Sequence, residues 1–105
     1  MSNVTSTVRA KLTTATQPTV YNLSMPTANT EYSQALGSST KKVLIKTRDR
    51  TARLRMAFVS GDTATLYITI EPGSVYFEEN LDLTGVTIYL QANKAAQTVE
   101  ILQWS

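Results

Sequence analysis

The sequence predicts an all-β fold: an antiparallel two-sheet β-sandwich, with a small barrel as the second choice, carrying an N-terminal arm. Three observations predict it. Apolar residues recur with period two in a series of short stretches centred near residues 44, 56, 68, 88 and 101, as half-buried strands require. Glycine and proline punctuate those stretches at Pro26, Gly37, Gly61, Pro72-Gly73 and Gly85. No segment carries the stripe of a long helix, and no heptad or internal repeat is present.

In chain order, residues 1–18 hold only Val4, Val8 and Leu12 among Thr and Ser, and read as an extended arm that frays or orders against a partner. Residues 19–105 form the single sandwich domain, since 105 residues with 42% hydrophobic content suit one modest core. Over residues 19–25, Tyr21, Leu23 and Met25 alternate with Asn22 and Ser24 until Pro26 stops the strand. Residues 31–36 make a weaker strand, ended by Gly37-Ser38-Ser39. Residues 41–59, KKVLIKTRDRTARLRMAFV, read as a basic hairpin bending at Arg48-Asp49-Arg50. Val43 and Ile45 are apolar in its first strand, and Leu54, Met56 and Phe58 oppose Arg53 and Arg55 in its second. Past the turn at Ser60-Gly61-Asp62, Leu66, Ile68 and Ile70 alternate with Tyr67 and Thr69. A short strand over 74–77 and a loop over 80–85 lead to Val86, Ile88 and Leu90, which alternate with Thr87, Tyr89 and Gln91. The final strand, 97–104, is apolar on both sides, with Val99 and Ile101 opposed to Leu102 and Trp104. It is read as a strand in the middle of the domain; a face meeting another chain is the alternative. The expected core is Leu54, Met56, Phe58, Ile68, Ile88 and Ile101.

The net charge is only +2, but seven of the ten basic residues lie in 41–59 and four of the eight acids in 71–82. Such segregation predicts neighbouring strands or subunits that pair opposite charges. With no cysteine and no histidine, disulfides, thiol nucleophiles, the commonest general base and the commonest transition-metal ligand are all missing. Glu78, Glu79, Asn80 and Asp82 lack the spacing of a calcium loop, so no metal and no cofactor are expected. Paired carboxylates need a cleft, for which a sandwich of this length offers little room, so no enzymatic activity is expected. The basic stretch has no interleaved aromatics, which argues for a charged protein-binding surface over nucleic acid. The absence of an 18-residue apolar run or a secretory leader pattern predicts no membrane span and no export signal.

Pro72-Gly73, Glu79-Asn80-Leu81, Gly85, Tyr89-Leu90-Gln91 and the apolar terminal strand ending in Trp104 together resemble small virion proteins encoded by tailed bacteriophages, over about residues 40–105. The resemblance implies a structural virion component assembled in the host cytoplasm. The expectation is a capsid decoration or cement protein seated on the major capsid protein, self-associating as a homo-oligomer, with a trimer expected. A tail or neck component is the runner-up. The expected partner interface comprises Arg48, Arg50, Arg53 and Arg55, the acidic pair Glu78 and Glu79, and Trp104. A carbohydrate- or receptor-binding module stays open, because Tyr67, Tyr76 and Tyr89 could stack on sugars, although cross-strand packing accounts for them equally.

Overall fold

Alternation of apolar and polar side chains builds eight strands in the computed structural model, which describes residues 17–105. They are β1 (Thr19–Met25), β2 (Glu31–Ala35), β3 (Lys42–Thr47), β4 (Leu54–Ala57), β5 (Ile68–Ile70), β6 (Tyr76–Glu78), β7 (Thr87–Ala92) and β8 (Gln97–Trp104). Two antiparallel four-stranded sheets result, β1-β8-β3-β6 and β2-β7-β4-β5, called here the β8 sheet and the β7 sheet. The pairing is nested: β4 pairs with β5, β3 with β6, β2 with β7 and β1 with β8. A chain folded back on itself in this way and wrapped into two facing sheets is the jelly-roll form of the β-sandwich. The sandwich expected from the sequence is therefore the observed architecture. The expected arm over residues 1–18 falls almost wholly outside the described residues.

The inner faces supply the core. Met25, Val43, Ile45, Val99 and Ile101 project from the β8 sheet, and Leu54, Met56, Ile70, Ile88, Leu90 and Ala92 from the β7 sheet. Each large side chain buried this way contributes about 1.5–3 kcal/mol. Burial along β8 alternates strictly, with Gln97, Val99, Ile101 and Gln103 inward and Thr98, Glu100, Leu102 and Trp104 outward. Gln103 is the polar tie of this face: its Oε1 accepts hydrogen bonds from the Tyr21 hydroxyl at 3.0 Å and from the Gly37 N–H at 2.8 Å. Gly37 must approach closely to make that bond, because a Cβ there would lie 2.5 Å from Gln103 Nε2.

Three expectations are corrected. Residues 41–59 are not a hairpin: β3 pairs with β8 and β6, whereas β4 pairs with β7 and β5, so the turn at 48–53 carries the chain from one sheet to the other. Lys46 and Arg55 consequently face outward from different sheets instead of sharing one basic face. The strand begun at Leu66 is shorter than its alternation suggests, because a 3₁₀ turn at Asp62–Ala64 occupies the approach and β5 starts at Ile68. Phe58 and Ile68 have inward parity but are 47% and 46% exposed, because the facing sheet does not extend over them.

Candidate functional site: a bare sheet face and an open cleft

The strand register places four apolar side chains in one row across the outside of the β8 sheet. Val20 lies opposite Leu102, Leu102 opposite Leu44, and Leu44 opposite Phe77. Trp104, opposite Lys42, borders the row, and its ring meets that of Phe77 edge to face at 6.3 Å between centroids. Val20 is 64% exposed and Phe77 47% exposed, while Leu44, Leu102 and Trp104 are half-buried by one another. The adjacent row is polar. Glu100 pairs with Arg48 Nε at 3.0 Å and Lys46 Nζ at 3.5 Å, and the Arg48 contact in particular holds its carboxyl below the ordinary carboxylate value. An apolar row with an aromatic pair at one end and fixed charges along one side has the make-up of a protein-binding surface.

The outside of the β7 sheet is finished differently. The connection from β4 to β5 folds back over it through the 3₁₀ turn, and Ala57 is buried beneath. Glu31 fastens this connection: its carboxylate accepts hydrogen bonds from the Thr63 hydroxyl at 2.6 Å and from the N–H groups of Gly61 at 3.0 Å and Thr63 at 3.4 Å. Those donors, the Thr63 hydroxyl foremost, lower the Glu31 pKa from its ordinary 4.5.

A cleft of about 630 Å³ opens where the end of β4 faces β6. Val43, Phe58, Tyr76, Leu81, Val86 and Tyr89 line it, and Glu78 is its one charged side chain. Burial, and secondarily Glu78, pushes the Tyr76 phenol above its ordinary value of 10. The expectation that a sandwich of this length leaves little room for a cleft does not hold. The cause is the shortness of β4, β5 and β6, which are four, three and three residues long.

The residues expected to form one interface are dispersed. Arg48, Arg50 and Arg53 sit on or beside the β3–β4 connection, at the end of the sandwich away from the cleft. Arg48 is paired with Glu100, and Arg53 with Glu71 at 3.4 Å. Arg55 lies over the Tyr67 ring at 4.5 Å, on the outside of the β7 sheet. Glu78 ends β6 at the cleft with Glu79 beside it, and Trp104 ends β8 on the bare face. Of the seven basic residues in 41–59, only Lys42 and Arg50 have neither an ion pair nor an aromatic partner among the described residues. Val20, Leu44, Leu102 and Phe77 were absent from the expected interface. Their outward parity was readable, but their alignment depends on a register between strands distant in the chain.

No family model and no curated protein matches this chain. Among solved structures it is similar to a de novo designed double-stranded β-helix determined by solution NMR, at 19% identity and a TM-score of 0.48, over 86% of this chain and all of that one.

Proposed function

We propose that this protein is a structural virion component of a tailed bacteriophage, a capsid decoration or cement protein that binds the major capsid protein and stabilises the particle. The phage assignment rests on the sequence resemblance. The observation that supports a docking role is the row Val20–Leu102–Leu44–Phe77 with Trp104, an apolar strip on a sheet face that no other part of the described chain covers. Among the described residues no three acidic side chains converge on a metal-sized site. The arginines expected to form a basic contact surface do not share one face: Arg48 and Arg53 are ion-paired, Arg55 lies over Tyr67 on the other sheet, and Arg50 alone has no partner among the described residues, which moves the proposed interface from Arg48, Arg50, Arg53 and Arg55 to the apolar strip. A tail or neck position for the same domain uses the same face.

Co-sedimentation with capsids lacking the protein tests the reading. Wild type should pellet with the particles, and a Val20→Glu, Phe77→Glu variant should remain in the supernatant with its circular dichroism unchanged. Wild type left in the supernatant at tens of micromolar would overturn the capsid role, and equal pelleting of both proteins would overturn the face.

A further inference from the structure

Of the charged residues in the eight described strands, Glu78 alone has inward parity. It lies opposite Val43 in the β3–β6 register, so both side chains project to the inner side of the β8 sheet, where Val43 is only 1% exposed. A carboxylate so placed has to keep its water or meet a counter-charge. The open end of the sandwich keeps Glu78 hydrated: it is exposed, it lines the cleft, and it has no ion pair among the described residues. It also sits close enough to Tyr76 to contribute, after burial, to the raised pKa of that phenol.

Three walls bound the space in front of Glu78. Val43 and Tyr76 come from the β8 sheet, and Phe58 and Tyr89 from the end of β4 and from β7. Leu81 and Leu83 come from the β6–β7 connection, which backbone hydrogen bonds fasten to the approach to β3: the Leu81 N–H donates to the Lys41 carbonyl at 3.0 Å and the Leu83 N–H to the Thr40 carbonyl at 3.1 Å. The cleft is thus preformed, and its volume of about 630 Å³ falls within the range of about 300–1,000 Å³ typical of small-molecule sites. Its lining combines three aromatic rings and one carboxylate with aliphatic side chains, and holds no lysine or arginine. Aromatic ring faces attract ammonium groups, quaternary ones included, and the carboxylate attracts the same charge. An anion finds no counter-charge there.

We propose that this cleft binds a small organic cation, an ammonium group on an apolar body, with the head beside Glu78 and the aromatic rings and the body against Val43, Leu81 and Leu83. The inference does not rest on the virion assignment.

Amide-shift titrations of the full chain with three probes that share one hexyl body test it: hexyltrimethylammonium, 1-hexanol and hexyl sulfate. The cation should give saturating shifts at Val43, Phe58, Glu78 and Tyr89, hexanol should bind about tenfold more weakly, and hexyl sulfate more weakly still. Glu78→Gln should lower the affinity for the cation several-fold, leave that for hexanol unchanged and keep the β8 amide shifts in place. The absence of saturation with the cation overturns the site, as do equal affinities for the cation and the sulfate, or shifts that map to Val20, Leu44 and Leu102 on the bare face. An unaltered cation affinity in Glu78→Gln overturns the part given to the carboxylate.

Discussion

The outer faces of the two sheets contrast. The β7 sheet is covered by its own β4–β5 connection, latched through Glu31, whereas the β8 sheet presents Val20, Leu102, Leu44 and Phe77 with nothing from the described chain laid over them. The outward positions of the β7 sheet are mostly polar, with Glu31, Ser33, Arg55, Thr69, Thr87 and Gln91 among them, so the two faces differ in composition as well as in what crosses them. The difference teaches that the two apolar sides of β8 are not equivalent: the inner side holds the sandwich together, and the outer side has nothing from the described chain laid over it.

Neighbouring residues of β8 provide the sharpest way to break that comparison. Ile101 is completely buried, and Ile101→Ala should cost about 2–5 kcal/mol through lost transfer energy and a cavity. Leu102→Ala, one residue on and facing outward, should cost about 1 kcal/mol or less. Urea denaturation of the two variants measures both, and equal costs would mean that the outer face is as structural as the inner one.

A smaller effect is expected at the polar tie. Gly37→Ala drives a methyl into the Gln103 amide, which cannot retreat without releasing the Tyr21 hydroxyl and the Gly37 N–H. Loss of about 1–3 kcal/mol follows from leaving such buried groups unpaired. A variant that melts with wild type would show that the amide swings aside freely.

The latch on the β7 sheet should weaken in acid. Glu31 has a folded-state pKa below its unfolded value, so its contribution is complete above the ordinary carboxylate range and is lost as pH falls through the folded value. Asp49, held down first by the Thr51 hydroxyl, and Glu100, held down first by Arg48, act with the same sign. The protection factors of the Gly61 and Thr63 amides, taken against intrinsic exchange at each pH, should therefore fall as pH drops below the ordinary carboxylate range, ahead of those in β8. Simultaneous loss of protection in both regions would count against a local latch.

The least effect is expected from Arg50→Glu with Arg53→Glu. Both side chains are exposed and only Arg53 is paired, and exposed substitutions of this kind shift stability by about 0.5 kcal/mol or less. A thermal melt displaced by many degrees would show that the β3–β4 connection matters more to the fold than its exposure implies.

Strand existence was legible wherever alternation was bounded by a breaker. Pro26 ends the alternation of β1, and the period of β8 runs unbroken to Trp104, so the expected bounds of both strands agree with those observed. Pairing was not legible. A charged turn between two alternating stretches suggests a local hairpin, but Val43 and Ile45 find their neighbours in β6 and β8 and lie in the sheet opposite Met56. Burial was legible only in direction: Phe58 and Ile68 have the right parity, yet how much covers them depends on the length of strands elsewhere. Of the candidate site, the double-sided character of β8 could be read from Leu102 and Trp104. The row joining them to Val20, Leu44 and Phe77 could not, because it is set by pairings across most of the chain.

The nesting of the pairs also ranks the order in which the molecule can assemble. Ten residues separate β4 from β5, while 71 separate β1 from β8, and closing the longer loop from an open chain costs about 2 kcal/mol more in chain entropy. The cheap closure is rewarded by only three residue pairs and the expensive one by seven. No early step therefore has both a low entropic cost and a large return, and topologies dominated by distant pairings fold in milliseconds to seconds. Until β8 slots between β1 and β3, its two apolar faces stand open together, so refolding yield should fall steeply as protein concentration rises.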